Sequence, residues 1–305
     1  MLLSTSCTSS YSVIGDEQAE PAESSDTASK RTHLDGEIDS GLLELARRAR
    51  ERRDHILQGI ATIDQLPVAA DKTFNASIPF SKAAVQLSDP SFYTELPFPF
   101  VGDILPDRFN TSGKENGDMW FYMGREKFKE LVERVENMQR SNKTSALWVY
   151  GTKGYGKSHI LATLVCYLVA QGKRVIYITD CRECVKDSVE YFRDAMLFAW
   201  ADDESKHEEI MKLCNMSEIY EFLKHHKDVI LVIDQMNGLE ILVDEDDETK
   251  RDRDELRKWL TRIRASHKAV LSTSANNRSF HLMGVKQTSE AKMRVYGGLT
   301  TVSLN

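Results

Sequence analysis

Residues 145–172 read SALWVYGTKGYGKSHILATLVCYLVAQG. The apolar run Ala146–Tyr150 predicts a buried strand. It leads into Gly151, Thr152, Lys153, Gly154, Tyr155, Gly156, Lys157 and Ser158, which satisfy G-x-x-x-x-G-K-[ST] at every fixed position. Glycines at this spacing let successive main-chain N–H groups turn inward around a polyphosphate. The helix that follows adds its unpaired amides and the positive end of its dipole. Residues 151–158, with His159 behind them, are therefore the candidate phosphate-binding set. In this pattern Lys157 reaches the β and γ phosphates and the Ser158 hydroxyl ligates Mg²⁺. Both flanks suit the motif, because Ile160, Leu161, Leu164, Val165, Leu168 and Val169 recur at helical spacing after it.

The carboxyl-terminal half supplies the rest of a nucleotide site. Arg174–Asp180 (RVIYITD) predicts a second parallel strand, Asp228–Asp234 (DVILVID) a third that ends in an acid, and Ala269–Ser274 (AVLSTS) a fourth. An acid at the carboxyl end of such a strand faces the phosphate loop and holds Mg²⁺ through its water shell, so Asp234 is the second metal candidate. Ser272, Thr273, Ser274 and Asn276 place polar groups beside it. Of these, Ser274 and Asn276 are the candidates for sensing the γ-phosphate. The fold class that follows is α/β: a three-layer αβα P-loop NTPase with a mainly parallel sheet. A further short strand is expected near residues 294–297. Helices are expected over 119–140, 189–200 and 256–265, with charged loops at 201–209 and 244–254.

ATP is the expected nucleotide, since the chain has no N-K-x-D sequence to read guanine. The residue after Asp234 is Gln235, where most AAA+ ATPases carry Glu. An amide can orient water but cannot accept its proton, which predicts slow turnover. Glu240 is the nearby carboxylate that would have to substitute. Trp120, Phe121, Tyr122 and Arg125 are candidates for the adenine side. Arg262, Arg264 and Arg278 are candidate fingers for a neighbouring copy's site.

The chain of 305 residues carries a formal charge of −7, so it has no general attraction for nucleic acid. No stretch approaches the roughly 18 consecutive apolar residues of a membrane span. With a start, MLLSTSCTSS, that makes a poor secretory signal, the sequence reads as a soluble intracellular protein, cytoplasmic or nuclear. The five cysteines, at 7, 166, 181, 184 and 214, do not form a disulfide framework. Cys181 and Cys184 form a C-x-x-C without the second half of a zinc site. Residues 1–33, poor in large apolar side chains, read as a disordered tail. Residues 34–66 read as an amphipathic helical segment. Its cluster Arg47, Arg48, Arg50, Arg52 and Arg53 reads either as a nuclear-import or nucleic-acid patch or, being interleaved with Glu44, Glu51 and Asp54, as a solvated, ion-paired face, the reading favoured. Residues 67–118 hold six of the seven prolines and read as a linker, and 119–305 as the NTPase domain.

The runs YGTKGYGKSHILATLVCYLVAQGKRVIYITDCREC, IDQMNGLE, STSANN and KQTSEAKMRVYGGLT resemble the P-loop domain of Crinkler-type and retrotransposon-hotspot-type proteins, particularly fungal members. The resemblance covers about residues 119–300. It implies an ATPase module of the STAND or AAA+ kind, often fused to a nuclease-like or toxin domain, and in pathogens an effector acting in a host nucleus. Neither the amino-terminal header of that family nor its helical lid is visible, and the chain ends where a lid would begin. Two readings of function follow: a Mg²⁺-dependent ATPase, or a non-catalytic, nucleotide-gated scaffold that engages a protein partner or a second copy of itself.

Overall fold

The computed structural model describes residues 40–67, 81–102, 105–109, 118–141, 146–240, 245–274 and 291–295. Helix α1 (Ser40–Gln65) turns Ala46, Ala49, Arg52, Ile56, Ile60 and Ile63 inward at steps of three and four residues. Arg52 is the charged member of that stripe. Its guanidinium donates to the Phe100 carbonyl and pairs with Asp118, so the buried charge is satisfied. On the opposite side Arg47 pairs with Glu44 and Glu51, while Arg50 and Arg53 reach Glu204 and Asp202. These arginines are engaged in ion pairs, as the charge mixing implied.

After the short helix α2 (Lys82–Gln86), strand β1 (Tyr93–Pro97) pairs antiparallel with β2 (Met119–Met123), in the register Glu95 to Phe121. The helix expected from residue 119 thus begins only at α3 (Lys127–Arg140). Residues 119–122 alternate exposed and buried, with Trp120 and Tyr122 inward, which is a strand period, and Gly124 separates them from the helix.

The sheet follows. Strand β3 (Ala146–Gly151) leads into α4 (Lys157–Ala170), and β4 (Val175–Ile178) into α5 (Cys181–Lys186) and α6 (Ser188–Ala199). Then come α7 (Glu204–Met211), α8 (Met216–Lys224), β5 (Ile230–Ile233), α9 (Asp247–Arg264), β6 (Lys268–Ser274) and β7 (Ala291–Arg294). Strand order is β4-β5-β6-β3-β7, and every pairing is parallel. The strand carrying the phosphate loop is therefore separated from the acid-ended β5 by β6. Helices flank this sheet, and the αβα fold read from the motifs is the one formed. Helix α4 is buried nearly all round, because α1 packs across it as well as the sheet.

Three local expectations are corrected. The charged run at 244–254 is mostly the first half of α9, since Asp246 caps it by accepting from the Thr249 N–H and ion pairs at helical spacing, such as Lys258 with Asp254, lace its surface. The loop at 201–209 is mostly α7, which buries His207 and Ile210. The last strand lies at Ala291–Arg294, three residues before the position expected. Among the described residues, no helix is long and apolar enough to cross a membrane.

If α1 is part of the core, its two faces respond differently to truncation. Ile56→Ala, at a fully buried position, should lower the free energy of unfolding by about 2–5 kcal/mol. Leu43→Ala, at a position 50% exposed, should stay within about 0.5 kcal/mol of the parent. Urea denaturation of both variants checks the difference.

Candidate functional site

The phosphate loop is shaped by its glycines. Gly151 ends β3 with φ 154°, and a Cβ there would lie 2.1 Å from the Val295 carbonyl oxygen. Gly156 is left-handed (φ 72°, ψ 27°) at the start of α4, and a Cβ there would meet the Arg125 guanidinium at 2.5 Å. At 151 a Cβ would strike main chain, and at 156 it would add left-handed strain and push the Arg125 guanidinium aside, so glycine suits both points. The first backbone bond of α4 runs from the Ile160 N–H to the Gly156 carbonyl (3.0 Å), so the amides of 157–159 are the unpaired amino-terminal donors of the helix.

Lys157 folds back over this loop. Its Nζ donates to the carbonyls of Gly151 and Thr152, both at 2.8 Å. Burial, opposed by the nearby Asp234 carboxylate, holds the ammonium below its ordinary pKa. Ser158 is buried one residue on. His159 packs against Phe109 (4.8 Å between ring centroids) and Trp120 (5.4 Å). Burial, with Arg125 and Arg108 adding like charge, pulls its pKa down to about 4, and the imidazole is neutral.

Asp234 follows β5 and is 1% exposed. Its Oδ1 accepts from the Gln235 N–H (2.8 Å) and from the Ser272 hydroxyl. Its Oδ2 is buried without a hydrogen-bond partner, with Arg108 Nη2 at 3.7 Å. A carboxylate oxygen left in that state is costly unless another group completes it. A hydrated divalent cation is a group of that kind, so Ser158 and Asp234 fit Mg²⁺ by charge and by donor type. Gln235 has φ 58° and ψ 40°, and among the described residues it is the sole non-glycine with positive φ. Such a backbone costs about 1–2 kcal/mol, and cost of that kind accumulates where a side chain must be aimed.

Most of these parts meet at one cleft of about 440 Å³, lined by Lys153, Gly154, Gly156, Lys157, Ser158, His159, Gln235, Asn237, Ser272 and Thr273, together with Arg108 and Arg182; Asp234, buried, does not line it but is hydrogen-bonded to Ser272, which does. Most of the expected phosphate-binding set is present in it. The polar end of β6 differs in detail. Ser272 bonds Asp234, and Thr273 Oγ1 is buried without a partner. The side chain of Ser274, with Asn276 and Arg278, lies outside the described residues.

The remaining candidates fall elsewhere. Trp120 and Tyr122 are core residues, and Phe121 is exposed. Arg125 lies against the Gly156 backbone. Arg262 sits over the Trp259 and Tyr220 rings and Arg264 over Trp148. Glu240 does not line the cleft. Cys181 and Cys184 are buried free thiols whose pKa values burial pushes up, and no metal-binding cluster of His, Cys, Asp or Glu occurs among the described residues.

Sequence reasoning missed three groups. Asp180 follows β4 and is gripped by Arg182, whose Nε donates to Oδ1 (3.0 Å) and Nη2 to Oδ2 (2.6 Å). The signal that picked out Asp234, an acid after a parallel strand, applied equally to Asp180. Arg108 lies 72 residues away in sequence, and its Nη1 donates to Asp180 Oδ2 at 3.0 Å. Nothing in the local sequence marks it.

Residues 125–275 match a family model described as the N-terminal region of nephrocystin 3. No curated protein sequence matches the chain. Among solved structures, a DNA replication initiation factor aligns with TM-score 0.33 and 15% identity, over 55% of this chain and 44% of its own. AMPPCP-bound DnaA from Aquifex aeolicus aligns with TM-score 0.33 and 16% identity, over the same shares. The chain thus covers less than half the length of either protein.

The left-handed backbone at Gln235 makes a stability prediction. Gln235→Gly should raise the free energy of unfolding by up to about 1 kcal/mol, because glycine adopts αL without steric cost. Thermal and urea melts of the variant beside the parent read it directly.

Proposed function

We propose that the chain binds ATP together with Mg²⁺ and hydrolyses it slowly, so that nucleotide occupancy acts as a conformational switch. One observation carries the reading: Asp234, whose buried Oδ2 has no hydrogen-bond partner, is held through Oδ1 by Ser272, which lines the same cleft as the lysine and serine of the phosphate loop. Lys157 would exchange its two loop carbonyls for phosphate oxygens, and the amides at the start of α4 would hold the phosphates. Ser158 and Asp234 would hold Mg²⁺, which when bound neutralises phosphate charge. Gln235 would orient the attacking water, and Thr273, whose hydroxyl has no hydrogen-bond partner, joins Ser274 and Asn276 as a candidate for sensing the γ-phosphate.

Gln235 also supports the second reading, a nucleotide-gated scaffold without turnover, because no carboxylate follows Asp234 to accept the proton. The sequence resemblance to Crinkler-type modules favours a switch of this kind, acting inside a cell through a protein partner or a second copy of the chain. ATP is preferred to GTP for want of a guanine-reading sequence.

Calorimetric titration with ATP and GTP, each with and without Mg²⁺, tests the reading. ATP should bind with Mg²⁺, and Lys157→Ala should weaken it by about 10- to 100-fold or more, the loss of a charge-assisted contact. No heat with any nucleoside triphosphate would overturn the proposal. Phosphate release indistinguishable from that of Lys157→Ala would leave the scaffold reading in its place.

A further inference from the structure

The cleft holds more positive charge than the phosphate loop requires. Lys153 and Lys157 come from the loop, but Arg108 and Arg182 approach from the side of β4. Asp180 does not need both arginines. Arg182 alone gives it a two-pronged guanidinium contact, and the Arg182 N–H donates to Oδ1 at 2.9 Å. Arg108 therefore adds a single bond to a carboxylate already neutralised. Its other prong donates to the Thr179 carbonyl and stands 3.7 Å from Asp234 Oδ2, too far for a hydrogen bond. Its Nε is buried and has no partner.

The position of Arg108 is fixed by packing. Phe109 next to it is fully buried against Phe98, Trp120 and His159, and the guanidinium lies 5.2 Å from the Phe109 ring centroid. The segment ahead of the sheet thus delivers a cation to the side of the cleft nearest Asp234. Asp234, beside which Arg108 stands, would hold a metal that neutralises charge on the transferred phosphoryl group, so Arg108 would lie on the terminal-phosphate side of the cleft.

We infer that Arg108 is a terminal-phosphate-binding residue supplied by the chain itself, held on Asp180 and Thr179 when the site is empty and turned to the γ-phosphate when a triphosphate is bound. The inference rests on the nucleotide-binding reading of the cleft. It adds a specific consequence: Arg108 distinguishes triphosphate from diphosphate, whereas Lys157 serves both.

Titration of the full chain with MgATP and MgADP, compared between the parent and Arg108→Met, decides the matter. Methionine keeps an apolar stem over Phe109 while removing the charge. ATP affinity should fall about 10- to 100-fold with ADP affinity within about twofold of the parent. Equal weakening of both nucleotides, or of neither, overturns the inference. If the parent binds neither nucleotide, the nucleotide reading itself has failed, a result distinct from an unchanged ratio. Should Arg108→Met not fold, Arg108→Gln is judged by the same ratio. Loss of the fold in both variants shows a purely structural arginine and overturns the inference as well.

Discussion

The candidate site depends on one half-satisfied carboxylate. Asp234 is almost wholly removed from water, with Oδ1 fixed by Ser272 and by the next backbone N–H while Oδ2 has no hydrogen-bond partner and lies 3.7 Å from the Arg108 guanidinium. The parallel register of β5 and β6 makes this pairing unavoidable, since Ile233 faces Leu271 and the residues that follow on each strand are Asp234 and Ser272. With β6 lying between β5 and β3, the same hydroxyl-bearing strand end adjoins the phosphate loop, where Gly151 pairs with Ser274. Sheet order, and not any local turn, ties the acid to a hydroxyl that lines the cleft of the loop.

Much of this was legible because the signals were local. The phosphate loop is a motif of eight residues, and the fully buried strands β3, β4 and β5 are continuous apolar runs. Strand β2 was misread as helix because its bulky residues merge into the helical pattern of α3, although the alternation of Trp120 and Tyr122 with their neighbours carried the correct period. The first half of α9 was misread because a highly charged helix has no apolar stripe and is held by a cap and ion pairs instead. Which of three consecutive polar residues on β6 meets Asp234 is a matter of strand register, which the sequence of one strand does not contain. Arg108 lies further still from sequence reasoning, since its partners are 71 and 72 positions away.

The segment ahead of the sheet takes part in the site. Phe98, Phe109 and Trp120 form a chain of ring contacts that reaches His159, the residue after Ser158. Arg125 touches the loop at Gly156, and α1 covers α4. The phosphate loop is therefore backed by aromatic packing from Phe98, Phe109 and Trp120.

The resting position of Lys157 has a consequence of its own. An ammonium ion already solvated by the carbonyls of Gly151 and Thr152 makes the loop its own internal competitor. An arriving anion gains only the difference between its oxygens and those carbonyls, so the bare loop holds its shape without a ligand and gives small stray anions little advantage over the main chain. Any preference for a longer polyphosphate would have to come from contacts beyond the lysine's reach.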